Sequence, residues 1–294
     1  MATKKAKTVS KAKSSVGAKK PKTQSTAVAA AKPTPKNKPK TIIKNFFSKK
    51  YTGTENIYTV FKKPAFVGAL VAEVLGAFLL TMTFLAIQAS PLYVMFAAIG
   101  VSVLVFAFSG AHINPIVSLG AFVTRRISLI RLIFYVIAQT IGAMLAYVML
   151  KSFIGDSTVT EEMAMYGQTA PEVFSMAKLI EGKEWCLFAV ELIGASIIAF
   201  FFARAIQYKK SVFTFAFTVG LGVFVAIIFA FTAISYIGGG GFALNPAIAV
   251  AMQAFTGDTV KWSLVIYMVA PLIGGIIGFM LNDIIAISTE NLEA

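Results

Sequence analysis

Six apolar runs, each long enough to cross a lipid bilayer, restrict this chain more than any other feature of its sequence. Crossing takes roughly 20 residues of helix, and the only charged residues inside the runs are Glu73, Glu191 and Asp283. Charged residues make up 14% of the chain, against about 25% in a soluble domain. The sequence therefore predicts six membrane-spanning helices, over residues 66–88, 92–109, 132–150, 185–203, 211–237 and 262–287.

The net charge of +14 is concentrated at the N-terminus. Residues 1–63 hold 17 lysines and one acid, Glu55, for a net charge of +16; residues 64–294 hold ten basic and twelve acidic residues, or −2. We expect a disordered basic tail over 1–63, because a segment so poor in apolar residues cannot offset its ordering entropy. A channel domain over 64–288 and a short C-terminal tail over 289–294 complete the predicted organisation.

Charged residues between the predicted spans indicate an orientation in the membrane. The segment 152–184 is acidic, whereas basic residues follow the second and fourth spans, at Arg125, Arg126, Arg131, Arg204, Lys209 and Lys210. By the positive-inside rule both termini face the cytoplasm and segment 152–184 is extracellular. We therefore expect a multi-pass protein of the cell membrane.

Residue counts argue against catalysis and cofactor binding. With one cysteine, Cys186, and one histidine, His112, neither an internal disulfide nor a His/Cys metal site is expected. The glycine run 238–241 lacks the lysine and hydroxyl residues of a phosphate-binding loop. We expect no enzyme activity, metal or cofactor.

The chain repeats itself in two halves, at about 64–151 and 185–288. A glutamate precedes a glycine by three residues in the first and fourth spans, at Glu73 and Glu191, and an Asn-Pro pair follows each, at Asn114-Pro115 and Asn245-Pro246. Because three spans separate the copies, the second half is inverted, as in many transporters and channels.

Each Asn-Pro pair opens an apolar segment of half a span, over 114–123 and 245–255. Asparagine is a favoured N-cap and proline a favoured first helical residue, which predicts two half-helices whose positive ends meet near the membrane centre. The alternative is that each pair marks a turn in a helical bundle. Irregular backbone at membrane depth must be buried or line a water-filled cavity, so we expect the preceding loops to line a pore with Gly110, Ala111, Ile113, Gly241, Ala243 and Leu244.

Several motifs together resemble the aquaporin and glycerol-facilitator (major intrinsic protein) family over residues 66–287. They are SGAHINP at 109–115, GFALNPA at 241–247, AEVLGAFLL at 72–80, AQTIGA at 138–143 and APLIGGIIG at 270–278. The second box has the form typical of glycerol facilitators. The resemblance implies an all-α membrane protein with six transmembrane helices and two re-entrant half-helices in an inverted repeat.

The resemblance also implies roles for individual residues. Asn114 and Asn245 would donate hydrogen bonds at the pore centre, and Glu73 and Glu191 would hold the two pore loops. His112 would support the first loop, although a purely structural role is the alternative. A homotetramer with one pore per subunit is implied by the family alone.

The departures from the family pattern concern selectivity. Ile116 stands where the first box usually has alanine, and Ile248 stands where the family has an arginine in its outer constriction. Counted back from the boxes, the other constriction positions are Val94, Ala233 and Phe242. A small residue with an aromatic is the glycerol-channel pattern, so we predict a wide, apolar outer filter that passes glycerol or larger uncharged solutes.

Two other functions remain open from the sequence: a non-conducting or junctional scaffold, and an ion-permeable family member. The basic tail near a membrane favours binding to anionic lipid headgroups, or it is simply solvated. Nucleic acid is disfavoured as its partner, because no aromatic residue precedes Phe46 to stack on bases. The expected partners are thus membrane lipid and a small neutral solute.

Overall fold

The computed structural model describes residues 56–155, 160–167, 172–207, 211–256 and 259–292. All of these residues belong to one compact unit. Of the tail predicted for 1–63, residues 1–55 therefore lie outside the described residues. Lys209, Lys210 and the end of the C-terminal tail lie outside them as well.

Six apolar helices are long enough to cross a bilayer, and we number them span 1 to span 6. They run over Pro64–Ala86, Pro91–Ser109, Leu129–Ile154, Glu184–Gln207, Val212–Ile237 and Val260–Ser288. Two short helices follow spans 2 and 5: half-helix 1 at Pro115–Val123 and half-helix 2 at Pro246–Ala251. The remaining helices in the described residues are Ile57–Val60 and Glu161–Met165. The predicted membrane fold is confirmed.

Proline and glycine residues mark where these helices begin and end. Pro64 and Pro91 stand at the starts of spans 1 and 2, where the missing N–H costs nothing. Spans 2 and 5 end at Gly110 and Gly238, which cap them in the left-handed conformation with φ of 85° and 93°. Such a cap turns the chain sharply, and here it directs the chain toward each Asn-Pro box.

Close backbone contacts at glycines join the spans and interlock the two halves. A side chain at Gly142 in span 3 would collide with the Val74 carbonyl of span 1, and one at Gly274 in span 6 with the Leu192 carbonyl of span 4. Half-helix 1 packs on span 6, where Gly275 faces Ile116, and half-helix 2 packs on span 3. Each half-helix is thus held against a span of the other half.

Half-helix 2 is shorter than the segment 245–255 that the sequence predicted. It ends at Ala251, and Gln253 follows in the left-handed conformation with φ of 59°. The Ala254 N–H then donates to the Ala249 carbonyl at 3.0 Å, closing the helix as a Schellman-type turn. This local backbone turn, rather than the apolar pattern of the side chains, determines where the helix stops.

Candidate pore at the two Asn-Pro boxes

The two Asn-Pro boxes meet inside the protein. Asn114 and Asn245 are the N-caps of the half-helices, and their Oδ1 atoms accept from the N–H groups of Ile116 at 3.0 Å and Ala247 at 2.9 Å. The Nδ2 of Asn114 donates to the Leu244 carbonyl at 3.1 Å, which joins the first box to the second. Within the described residues the Nδ2 of Asn245 has no such acceptor, so its donor is available.

Glu73 in span 1 holds the loop over residues 110–113, which we call loop 1. Its Oε1 accepts from the His112 N–H at 3.1 Å and its Oε2 from the Ile113 N–H at 2.7 Å. The Gln139 amide of span 3 donates to the same Oε2 at 2.6 Å and to the Ser118 hydroxyl at 3.0 Å. The carboxylate is fully buried, and these bonds satisfy it.

Glu191 in span 4 holds the loop over residues 238–244, which we call loop 2, in the same way. Its two oxygens accept from the N–H groups of Ala243 at 2.6 Å and Leu244 at 2.9 Å. This carboxylate is also fully buried. In each half the two N–H groups belong to consecutive residues just before the box. The two halves of the inverted repeat therefore match in individual hydrogen bonds.

The glycine three residues after each glutamate makes room for its loop. A side chain at Gly76 would meet Ile113 at 3.3 Å, and one at Gly194 would meet Leu244 at 2.5 Å. Ile113 and Leu244 are the residues directly before the two asparagines, and both have positive φ, 55° and 53°. Such conformations cost energy in residues other than glycine and persist where the surroundings hold them.

Loop backbone in unusual conformations leads to both boxes. In loop 1, Gly110 and Ala111 have φ of 85° and 56°; in loop 2, Gly239 and Gly240 have φ of 133° and 113°. Gly241 and Ala243 complete the run before Leu244. In these conformations the loop residues cannot form the N–H to carbonyl hydrogen bonds of a helix. Their carbonyl groups therefore have no helical hydrogen-bond partners.

Two tyrosines, neither predicted from the sequence, each hold one backbone carbonyl in the approach to a box. The Tyr135 hydroxyl of span 3 donates to the Ser109 carbonyl at 3.1 Å, and the Tyr267 hydroxyl of span 6 donates to the Gly241 carbonyl at 3.3 Å. Tyr267 lies in a π-helical turn, Val265–Val269, a local feature that often occurs at functional sites. Tyr135 and Tyr267 occupy matching places in their halves, and that correspondence could have identified them.

Gln139 and Ser118 were missed as well, although Gln139 is a polar residue inside an apolar span. Gln139 donates to both Glu73 and Ser118, and these bonds connect residues up to 66 positions apart in the chain. His112 joins the same network, with its Nδ1 3.1 Å from the Ser118 hydroxyl. The His112 ring packs edge-on against Tyr135 and Phe202, at 5.3 Å and 5.5 Å between centroids.

The four predicted filter positions belong to one apolar cluster. Val94, Phe242 and Ile248 are buried, with exposed fractions of 1%, 4% and 3%, and Ala233 is partly buried against the same cluster. The Phe242 ring stands edge-on to Phe231 at 4.9 Å between centroids. Ile116 belongs to the same cluster, is fully buried and packs against the Gly275 backbone of span 6.

Comparisons with known proteins agree with this geometry. The profile of the family described as "Major intrinsic protein" matches residues 60–282. The chain is 29% identical to the Lactiplantibacillus plantarum protein "Glycerol uptake facilitator protein-like 6" over 216 residues, 70% of this chain and 92% of that protein. It is also 29% identical to "Aquaporin TIP1-2" of Musa acuminata over 198 residues, 65% of this chain and 67% of that protein.

A solved structure has the same fold. The aquaglyceroporin from Plasmodium falciparum superposes with a TM-score of 0.59 at 20% identity, covering 77% of this chain and 99% of its own. The described residues contain no cluster of three or more metal-ligating side chains. The profile match, six spans and paired boxes assign the chain to the major intrinsic protein family of passive, multi-pass membrane channels for water and small solutes such as glycerol.

Proposed function

We propose that this chain passes small uncharged solutes, glycerol-sized polyols and water, through a pore centred on Asn114, Pro115, Asn245 and Pro246. The observation that carries the proposal is the hydrogen bond from Asn114 to the Leu244 carbonyl, 3.1 Å long, which joins the starts of both half-helices. A passing hydroxyl meets an amide donor there, with loop carbonyls as acceptors on either side.

The pore wall in this proposal combines loop backbone with an apolar filter. The loops contribute carbonyls of Gly110, Ala111, Ile113, Gly241, Ala243 and Leu244, and Glu73, Glu191 and His112 hold those loops in place. The outer filter consists of Val94, Ala233, Phe242 and Ile248, none of which is charged. In this filter a solute hydroxyl cannot form a hydrogen bond to a charged donor, a bond worth about 1.5–3 kcal/mol. The apolar wall in turn accepts larger molecules.

Orientation, location and assembly belong to the same proposal. A cytoplasmic position for that face is favoured by Arg125 and Arg126 between half-helix 1 and span 3, by Arg131 in the first turn of span 3, and by Arg204 in the last turn of span 4. Both termini would then be cytoplasmic in the cell membrane, with 64–288 as the channel domain and 1–63 binding anionic lipid. We propose a homotetramer by analogy with the family.

The Ile248→Arg variant tests the filter directly. In reconstituted proteoliposomes, stopped-flow light scattering should report glycerol and urea entry in the wild type and at least about tenfold slower entry in Ile248→Arg, which corresponds to about 1.4 kcal/mol of barrier. The Ile248→Val variant is the matched control and should keep wild-type rates. Water flux without glycerol flux in the wild type would contradict the proposed solute range.

An electrical measurement on the same vesicles separates the remaining functions. We expect a potassium diffusion potential to last as long as in protein-free liposomes, because the pore offers an ion no charged partner to replace its water. A rapid collapse of that potential would identify an ion-permeable channel, and the absence of any solute flux would identify a scaffold.

A further inference from the structure

We infer that an apolar groove between spans 3 and 6 holds one acyl chain of an anionic phospholipid, whose headgroup lies at Arg125. We call it the acyl groove. The inference goes beyond the proposed function, since it concerns a ligand bound from the membrane and requires no solute to pass. The site is also separate from residues 1–63, the tail proposed to bind anionic lipid.

The side chains that line the acyl groove fit hydrocarbon. The groove has a volume of about 380 Å³, and four elements line it: both half-helices, span 3 and span 6. Among its lining residues only Thr140 is polar, and its hydroxyl donates to the Val136 carbonyl at 2.9 Å. A polar ligand would find no side-chain partner here and would lose its hydrogen bonds to water, which costs free energy. An apolar ligand has no such cost.

The acyl groove opens on the outer surface of the helical bundle. Ile133 and Ile137 of span 3 line it, and each is 47% exposed. Ile141, one turn further along, is 49% exposed and continues the row without lining the groove. Because span 3 crosses the bilayer, lipid chains rather than water are the solvent at this depth. A lipid chain can therefore enter the groove from the side.

The inverted repeat shows in which direction the groove extends. Its central part is symmetric, because Val136 and Met268 each lie one residue after the matching tyrosines and the prolines of both boxes line it. Span 3 contributes further lining residues, Leu132, Ile133 and Ile137. The residues that match these three in span 6 do not line the groove. The groove therefore extends from the middle of the bundle toward the start of span 3, and not toward the start of span 6.

A basic side chain lies at that end of the groove. Half-helix 1 and span 3, which both line the groove, are joined by the turn over residues 124–128, and Arg125 is its only exposed residue. Arg126 is bound to Asp283 at 2.6 Å, whereas Arg125 forms no ion pair within the described part of the chain. Basic sites beside membrane-spanning helices bind anionic lipid headgroups. The charge at Arg125 thus complements an anionic headgroup.

The length of the groove matches the depth of one lipid leaflet. A helix rises about 1.5 Å per residue, so Leu132 and Thr140 are about 12 Å apart along span 3. Half of a hydrocarbon core about 30 Å thick is about 15 Å. At the inner end the chain would contact Pro115 and Pro246, the first residues of the two half-helices. The bound lipid would therefore support the place where the two boxes meet.

A photoreactive lipid tests the site in proteoliposomes of the full chain. The probe is a phospholipid with a diazirine at the end of one acyl chain, made with either an anionic phosphatidylglycerol or a zwitterionic phosphatidylcholine headgroup, and mass spectrometry locates the labelled residues. Ile137→Phe adds bulk in the groove at an exposed position that tolerates it. Ile141→Phe is the matched control, since Ile141 is equally exposed on the same span and does not line the groove.

We expect the phosphatidylglycerol label to concentrate on Leu119, Val136 and Thr140 in the groove. Leu75 and Val225, each 42% exposed midway along spans 1 and 5, should carry less. Ile137→Phe should lower the groove label, and Ile141→Phe should leave it unchanged.

The Arg125→Gln variant tests the position of the headgroup. It should lower the preference of the groove for phosphatidylglycerol over phosphatidylcholine about fivefold, the effect of about 1 kcal/mol for one basic residue near the surface. Lipid held by the tail would give a label that does not respond to this variant.

Label spread evenly over the groove, Leu75 and Val225 would overturn the inference, as would an equal loss of groove label in Ile137→Phe and Ile141→Phe. Crosslinks from the groove to a second copy of the chain in place of lipid would also overturn it. Equal labelling by both lipids, or an unchanged preference in Arg125→Gln, would overturn the headgroup position. Because the label records lipid contact and not flux, a protein that conducts no solute would contradict the proposed function alone.

Discussion

Loop 1 and loop 2 have the same backbone plan but different side-chain surroundings. In both, a buried glutamate accepts from two consecutive N–H groups before the box. Glu73 also accepts from Gln139, which joins Ser118 and His112 in one network. The hydrogen bonds to Glu191 within the described residues come from backbone alone.

Loop 2 is instead covered from outside by the segment before span 4. Met176 packs against Gly241, and Ile180 lies 3.2 Å from the place that a side chain at Gly239 would take. The Met176 N–H also donates to the Met252 carbonyl at 2.9 Å. Loop 1 is therefore held through a connected polar side-chain network, whereas loop 2 is held through packing, the Glu191 carboxylate and separate hydrogen bonds from Tyr267 and Asn114. Matched substitutions should thus have unequal effects.

The largest difference is expected when each glutamate is replaced. Glu191→Ala leaves two buried N–H groups without an acceptor, at about 1–3 kcal/mol each. Glu73→Ala should cost less, because the Oε1 of Gln139 has no partner in the described residues and a turned amide can accept one of the freed N–H groups. Thermal unfolding of both variants in detergent compares their losses of stability. A larger loss of stability in Glu73→Ala would contradict this account.

The glycines that face the loops should give a smaller contrast. Gly194→Ala brings a methyl group to 2.5 Å from Leu244, whereas Gly76→Ala brings one to 3.3 Å from Ile113. Overpacking of this kind costs about 1–3 kcal/mol, and we expect Gly194→Ala to be the more destabilising. In a double-mutant cycle, Leu244→Ala should relieve part of that cost. Additive losses would show that the steric contact is not the cause.

The tyrosines should show the smallest effect. Tyr135→Phe and Tyr267→Phe each remove one hydrogen bond to a backbone carbonyl, that of Ser109 before loop 1 or of Gly241 in loop 2, worth about 0.5–1.5 kcal/mol. Tyr135 should be the more costly, because its hydroxyl also accepts from Arg131 at 3.3 Å. Unfolding midpoints of the two variants test this order. A larger shift for Tyr267→Phe would indicate that its π-helical turn depends on the hydroxyl.

The sequence predicted the spans and the fold because each depends on local patterns. Apolar length identifies a span, and Asn114 followed by Pro115 specifies a helix start whatever surrounds it. The predicted end of half-helix 2 was wrong, because the turn at Gln253 depends on backbone geometry that the apolar pattern does not encode. Tyr135, Gln139 and Tyr267 were missed because each bonds to a residue at least 26 positions away in the chain, a proximity that only the packed helices create.

The most direct test of the central claim is the rate of glycerol entry into proteoliposomes that contain the wild-type chain. A passive channel requires only a gradient, so the initial rate should exceed that of protein-free liposomes and rise in proportion to the protein-to-lipid ratio. A rate equal to that of protein-free liposomes at every ratio, from correctly folded protein, would contradict the account.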